Sequence, residues 1–345
     1  MKQIDLNNLN LYLAEGSIRR EKISDELYFS ARYKHCTSNS KLKLINPEQS
    51  GSPKEYFEGG LNKKSSSLSL GSAVHEQILQ PGEFFIPKPL GRPTEKLGDT
   101  IDKIKYYRKQ GNSIYNSIIK ATKDCDYYAN CIDNKIKMII QKGFAYYWKS
   151  KDLPDNAILL PDKDRETCLA CIKSIENNKF INKKLHPTDI FGDPIDSFNE
   201  DAFFADFVVV YNNKAVIIPF KMKIDNWTID SENKILTLND LKTSRKMCKY
   251  FMNPIFGSWS TFGYYRQFGV YSFVLKEYCK KEFGFDENWT FDSNVFVVET
   301  TGDHNSACFN VPSTEIEKGL KEFEKLMKMI GYYTIYCYDE EVEFI

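Results

Sequence analysis

Asp225, Asp240 and Lys242 are the residues of this chain whose types and spacing suit a chemical task. A strand-like run over Ile217 to Ile224 leads into Asp225, and fifteen residues later Asp240-Leu241-Lys242 closes a second strand-like run. In a β-strand, residues i and i+2 share a face. Asp240 and Lys242 are therefore expected to point the same way, with Leu241 turned into the core. On the preceding strand Lys221, Lys223 and Asp225 share one face, and Phe220, Met222 and Ile224 the other. A hairpin between the two strands brings Asp225 beside Asp240. Mg²⁺ takes oxygen ligands and keeps several waters, so two carboxylates and the Leu241 carbonyl suffice to hold it. Such a cation neutralises a phosphate and lowers the pKa of an attacking water. A lysine beside it orients that water or helps to deprotonate it. This is the residue set of a metal-dependent phosphodiesterase. Without the strand setting and the Thr243-Ser244 tail, the same charges would read as a solvated hairpin.

Two further motifs gain meaning beside these residues. In Gly263-Tyr264-Tyr265-Arg266-Gln267-Phe268-Gly269-Val270-Tyr271, Gln267 and Tyr271 stand four apart and share a helix face, with Tyr264 one turn earlier. A glutamine there can bond a phosphate, a metal-bound water or the lysine; alone, the stretch is an amphipathic helix with a tyrosine stripe. His75 lies in Leu-Gly-Ser-Ala-Val-His-Glu-Gln-Ile-Leu-Gln-Pro. A lone histidine on an apolar helix is more often a packed residue than a ligand, so its role depends on its company.

The elements that must position these groups follow from periodicity. Residues 1–34 read as mainly helical, with a helix over Arg19 to Tyr33. Residues 35–69, rich in Ser, Lys, Gly, Asn and Pro, read as a loop or extended arm. A helix over Leu70 to Leu79 stops at Pro81-Gly82. Apolar residues every three or four positions predict helices between about 100 and 180. From Glu200 the pattern is β-like: Phe203 to Tyr211, an Asn212-Asn213 turn, Ala215 to Ile224, a Ser231-Glu232-Asn233 turn, and Lys234 to Leu241. One long helix over Ser258 to Phe283 comes next. A strand pair (Val295 to Thr300, Ala307 to Val311), a helix from Ser313 to Met329 behind Pro312, and a terminal strand from Tyr332 to Phe344 complete the reading. The fold class is α+β (α/β): a mixed central sheet flanked by helices, with an N-terminal or inserted helical subdomain. Three stretches are distinguished: 1–70, a helix and arm; 71–200, a helical region carrying His75; and 201–345, the sheet core.

Composition bounds the rest. The chain has 345 residues, 42% hydrophobic and 27% charged, enough for one large domain or two small ones. Aromatic content is high at 14%, mostly 21 Tyr and 24 Phe, which predicts a well-packed core and aromatic surfaces for bases or partners. Lys and Arg total 47 and so do Asp and Glu, so the protein is not a polycation that coats nucleic acid. Basic clusters at Arg19-Arg20, Lys41 to Lys43, Lys63-Lys64, Lys103 to Lys109 and Lys242 to Lys249 each read, taken singly, as solvated faces. No run of apolar residues is long enough to span a membrane, and the acidic, interrupted N-terminus does not read as a signal peptide. Nine scattered cysteines, an odd number, argue against a disulfide framework and for reduced thiols in a cytoplasm. Cys168 and Cys171 form one C-x-x-C without a second pair and read as core thiols rather than a zinc site.

Taken in order, L-G-S-A-V-H-E-Q-I-L-Q-P, K-M-K-I-D, N-D-L-K-T-S, Y-Y-R-Q-F-G-V-Y and F-V-V-E-T-T, preceded by S-K-L-K and S-P-K-E-Y, resemble the RecE-like (exodeoxyribonuclease VIII) phage-type exonucleases. These belong to the PD-(D/E)xK nuclease superfamily, and the resemblance runs from about residue 28 to 330. It implies a restriction-endonuclease-like core. Asp225 and Asp240 would bind Mg²⁺ or Mn²⁺, His75 would complete that site, and Lys242 would position or activate the water. Gln267 and Tyr271 would form the Q-x-x-x-Y pair. The reaction implied is stepwise 5′ to 3′ hydrolysis of one strand from a double-strand end, leaving a 3′ tail. A single-strand annealing partner and a ring-shaped homo-oligomer in a phage- or prophage-bearing cell are also implied.

Four residues depart from that pattern. Asn239 stands where an apolar strand residue is usual, Pro219 predicts an edge or bulge, Asp230 is a competing acid, and Glu200 is a further candidate acid onto which no role is carried. Two rivals remain at this level: a catalytically silent nuclease-fold protein that binds DNA or a recombination partner, and an endonuclease on the same fold. Retention of Asp225, Asp240 and Lys242 speaks against the first, and the Q-x-x-x-Y pair against the second.

Overall fold

The computed structural model describes residues 2–59, 66–93, 95–127, 132–336 and 342–344. Lys63-Lys64, Cys131 and Cys337 lie outside them. Along the chain, strands β1 (Lys2–Ile4), β2 (Asn10–Leu13) and β3 (Arg19–Glu21) are followed by short helices α1 (Asp25–Tyr28), α2 (Asn39–Leu42) and α3 (Pro53–Glu58). Then come α4 (Ser66–Leu79), α5 (Glu95–Lys109), α6 (Ile114–Asp124), α7 (Ile132–Ser150), α8 (Asp162–Asn177) and α9 (Lys179–Leu185). Long strands β4 (Asp196–Tyr211), β5 (Lys214–Asp230) and β6 (Ile235–Ser244) precede α10 (Ser258–Thr261) and α11 (Tyr264–Phe283). Strands β7 (Thr290–Glu299) and β8 (Ser306–Asn310), helix α12 (Ser313–Tyr336) and strand β9 (Val342–Phe344) complete it.

The chain divides into two compact units, one of Met1–Lys63 with Ser174–Ile345 and one of Lys64–Lys173. The first contains the expected mixed sheet flanked by helices. Among the described residues its seven strands run β2-β4-β5-β6-β7-β8, with β3 also on β4, and only β6 and β7 are parallel. Parallel neighbours need a crossover connection, and α11 lies within it. Strands β1 and β9 form a separate parallel pair. The second unit is helical, with its own core of Ile101, Ile104, Ile118, Ile139 and Tyr146. Among the described residues no helix is long and apolar enough to cross a membrane.

Two hairpins set the sheet. Asn212 and Asn213 both take left-handed φ, 48° and 59°, as a two-residue turn between twisted strands requires. Asp230 closes the second: its carboxylate accepts the Asn233 amide at 2.9 Å and the Asn233 side chain at 2.8 Å. Helices α11 and α12 cover the sheet, where Phe207 and Phe220 meet Phe323 with ring centroids 5.0 and 5.3 Å apart. The two helices touch backbone to backbone. A Cβ on Gly269 would meet the Leu320 nitrogen at 2.3 Å, and one on Gly319 would meet the Tyr265 oxygen at 1.9 Å.

Several expectations are corrected. Residues 1–34 are not mainly helical: β2 and β3 add strands to β4, and the Arg19–Tyr33 helix is replaced by β3, one turn of α1 and a 3₁₀ turn at Ala31–Tyr33. The described part of the 35–69 arm is compact, with Leu42, Ile45 and Tyr56 in the core. The Ser258–Phe283 helix breaks at Gly263, whose left-handed φ of 65° starts α11 afresh. Tyr332 to Tyr336 continue α12, so the terminal strand is only β9. Among the described residues, Pro219 lies where β5 has no β6 partner and only Thr37 bridges its free side, an edge position as expected. Its carbonyl accepts the Thr37 amide at 2.7 Å, so its nitrogen also faces that side and leaves the β4 ladder intact.

The basic clusters are not all solvated. Arg20 pairs with the buried Asp201 at 2.9 Å and lies 4.1 Å from the Phe198 ring centroid. Lys105 is buried against Asp102 at 2.6 Å and Ser150 at 3.0 Å. No described cysteine is in a disulfide. Cys168 and Cys171 are buried, and burial pushes their thiols up to about 12 and about 11, so both are neutral core groups.

Candidate active site

The two hairpin turns fix which residues meet across the sheet. Tyr211 pairs with Lys214, so Glu200, eleven residues back, comes opposite Asp225, eleven residues on; the pairs Asn199–Asn226 and Asp201–Ile224 flank them. Asp230 pairs with Ile235, so Asp225 comes level with Asp240, and the last paired residues before them are Asn226 and Asn239. Three neighbouring strands thus carry Glu200, Asp225 and Asp240 at one level.

The ladder is interrupted there. β5 pairs with β6 only from Asn226 to Asp230. Beyond that point Asp225 itself replaces a backbone partner, its Oδ2 accepting the Leu241 amide at 2.8 Å. Glu200 takes a left-handed φ of 57°, a conformation costly for a side chain with a Cβ. The alternation of core residues slips at the same level: Phe220, Met222 and Ile224 give way to Trp227 and Ile229. The regular alternation expected for β5 therefore holds up to the acids and not through them.

Lys242 stands beside this row. Its Nζ lies 2.5 Å from Asp240 Oδ2, 3.4 Å from the Leu241 carbonyl and 5.2 Å from the Tyr264 ring centroid. Gln267 reaches down from α11 and donates from Nε2 to Asp240 Oδ1 at 2.7 Å. Tyr271, one turn on, bonds the Lys223 backbone, and its phenol feels the charges of Asp240 and Asp225. Arg266 fixes the start of α11. It is fully buried, donates to Asn39 Oδ1 at 2.9 Å and pairs with Glu322 at 2.5 Å. The structure brings Asp225, Asp240, Leu241, Lys242, Gln267 and Tyr271 together in one region. His75 lies on α4 of the other compact unit.

Glu200, left without a role at first, joins the row. It offers a carboxylate oxygen within 4.8 Å of one on Asp225. Lys223 bridges Glu200 to Asp25. Asp230, the competing acid, is occupied in the hairpin turn.

Crowded, buried carboxylates resist ionisation. Burial, with Asp225 adding to it, pushes Glu200 up to about 7, against the pull of Lys223. Burial also raises Asp225, although Lys242 and the Leu241 amide act the other way. For Lys242 burial works against the charge, but Asp240 and Asp225 outweigh it and hold the ammonium protonated well above its ordinary range. Burial pushes the Tyr271 phenol far up, so it is neutral.

Behind the acids lies an asparagine ladder. Asn199, Asn226, Asn239 and Asn294 occupy paired positions on β4, β5, β6 and β7. Their side chains bond in a chain: Asn226 to Asn199 at 2.7 Å, Asn239 to Asn226 at 2.7 Å and Asn294 to Asn239 at 3.0 Å. Neighbours in a strand face opposite ways, so Asn239 looks away from the site while Asp240 looks into it. The polar residue at 239, where an apolar strand residue was expected, is thus a cross-sheet link beneath the acids.

No family model matches this sequence, and no curated protein does. Among solved structures, a "Putative exonuclease" from Eubacterium rectale is 14% identical over 90% of this chain and 85% of its own, with a TM-score of 0.44. Rai1 from Scheffersomyces stipitis, in complex with (3′-NADP)⁺ and calcium ion, is 9% identical over 99% and 88%, with a TM-score of 0.20. Likenesses this distant say nothing about the chemistry, which rests on the residues themselves.

Proposed function

We propose that the protein is a divalent-cation-dependent nuclease that hydrolyses one strand of linear duplex DNA from its end, 5′ to 3′, leaving a single-stranded tail for recombination. The observation that carries this reading is the row of Glu200, Asp225 and Asp240 on adjacent strands, with Lys242 against it.

The donor set fits a hard cation. It consists of carboxylate oxygens with the Leu241 carbonyl nearby, and burial raises the proton affinity of Glu200 and Asp225 despite the lysines beside them. Asp225 and Asp240 would hold Mg²⁺ or Mn²⁺, with Glu200 beside them. When bound, the ion would neutralise phosphate charge and make an adjoining water more acidic. Lys242, kept charged by its carboxylate neighbours, has no capacity to take a proton near neutral pH. Its role is therefore to orient the water and offset charge on the phosphate, not to act as a base. Gln267 fixes the Asp240 carboxylate, and the neutral Tyr271 is held on the Lys223 backbone one turn along the same helix. His75 is proposed as a further ligand on the strength of its motif. The polarity, the single-strand annealing partner, the ring-shaped homo-oligomer and the cytoplasm of a phage- or prophage-bearing cell rest on the resemblance to RecE-like exonucleases.

A time course on end-labelled linear duplex and on closed circular duplex, with Mg²⁺ or a chelator, tests the reading. The 5′ label should be released first, the closed circle should resist, and the chelator should stop release. No cleavage of linear DNA in either Mg²⁺ or Mn²⁺, or undiminished cleavage in chelator, would overturn it. Equal attack on the closed circle would make the protein an endonuclease.

A further inference from the structure

The segment after Lys242 presents a surface that catalysis does not use. Residues 245–262 carry Arg245, Lys246 and Lys249 and no Asp or Glu, in a chain whose charges balance overall. They form a tied loop. Asn253 Oδ1 accepts the Ile255 and Phe256 amides at 3.0 and 3.1 Å, and the Asn253 carbonyl accepts the Gly257 amide at 2.9 Å. Lys246 caps the Phe256 carbonyl. A Cβ at Gly257 would meet the Asn253 and Phe251 oxygens at 2.3 and 2.5 Å, so the loop is closed tightly on itself.

This ordered loop turns apolar side chains outward. Ile255 is 86% exposed, Met247 54% and Phe256 50%. Tyr250 lies 5.8 Å from Phe256 between ring centroids, with Lys249 4.9 Å from the Tyr250 ring. The surface continues into the site: the exposed Phe262 is 5.7 Å from Tyr264, the ring beside Lys242, and Lys43 lies 5.6 Å from Phe262. Exposed aromatic faces interleaved with uncompensated cations are the arrangement that takes a single strand without regard to sequence, because every base has a π-face and every phosphate a negative charge.

We propose that this loop is a lip for single-stranded DNA, with bases stacking on Tyr250, Phe256 and Phe262 and phosphates meeting Arg245 and Lys249. The proposal rests on the nuclease reading, since the occupant is the strand freed beside the one being cut.

The test is binding of a labelled oligothymidine of about 20 nucleotides to the full chain in chelator, run beside the linear-duplex assay. Tyr250→Ala with Phe256→Ala should weaken binding roughly tenfold or more. Arg245→Glu with Lys249→Glu should weaken it and flatten its salt dependence. If the aromatic double variant is unfolded by circular dichroism, Ile255→Ser with Lys249→Glu, both on exposed side chains, takes its place. Unchanged oligonucleotide affinity in the folded variants, while the wild type cuts linear duplex, overturns the lip and leaves the nuclease reading standing. A change in oligomeric state without a change in DNA affinity also overturns it, by making the surface a protein contact. A wild-type chain that neither binds nor cuts DNA removes both.

Discussion

Gln267 donates its side-chain amide to Asp240 at 2.7 Å, so a helix residue aims a strand carboxylate whose other oxygen faces Lys242. Groups that orient a metal-binding carboxylate typically matter ten- to a hundredfold to affinity or rate. Gln267→Ala should lower the cleavage rate by roughly that factor, with partial recovery at high Mn²⁺. Initial rates over a Mn²⁺ titration check this; a variant with wild-type rates at every concentration would show that Asp240 needs no such aid.

Lys242→Ala removes the ammonium and leaves the carboxylates and the basic loop. Cleavage should fall by about a hundredfold or more, while affinity for duplex in chelator changes little. Single-turnover rates and a binding titration on the same preparation separate the two. Equal losses in both would make Lys242 a DNA contact.

The acids should also write a pH signature into stability. Glu200 is raised to about 7, so the folded state binds more protons than the unfolded chain above the ordinary carboxyl range. Its stabilising share is complete below about pH 4.5 and is lost as pH rises through about 7, a change of order 3 kcal/mol. Asp225, also raised, adds in the same direction. Without divalent cation the thermal midpoint should fall from pH 5 towards pH 8; added Mn²⁺ should reverse most of the fall, and Glu200→Gln should flatten it. A midpoint that rises across this range would mean the carboxylates are not crowded.

Asn239→Leu would leave the Asn226 side-chain oxygen without its donor, while the Asn294 amide keeps the Asp292 carboxylate at 3.3 Å. A buried polar group stranded in this way costs about 1 to 3 kcal/mol, and a loss of that size is expected in denaturant titration. Near-zero change would mean the ladder does not hold the sheet.

Much of this site was legible in the sequence because its key relationships are local. Asp240 and Lys242 share a face by strand alternation, and Gln267 and Tyr271 by helical spacing. Asn212-Asn213 announced the hairpin, and that turn already implied Glu200 opposite Asp225 once residues were counted outward from it. Glu200 was noticed as a further acid but given no role, because the slip in the β4 and β5 core pattern, with its left-handed backbone, breaks the alternation that would have placed it on the face of Asp225. The N-terminal strands were missed for a different reason. They exist through pairing with β4, nearly two hundred residues away, and edge strands of three or four residues carry little pattern of their own. The Tyr-rich run at the end of α12 has the composition of a strand. Packing of Tyr332 against Tyr211, at 5.7 Å between ring centroids, keeps it helical.

Crystals soaked in Mn²⁺ and measured at an energy where manganese scatters anomalously put the central claim to its most direct test. The account predicts one strong anomalous peak within roughly 2.5 Å of carboxylate oxygens from both Asp225 and Asp240, lost in Asp225→Asn. A peak held by other residues, or none at saturating Mn²⁺, would contradict it.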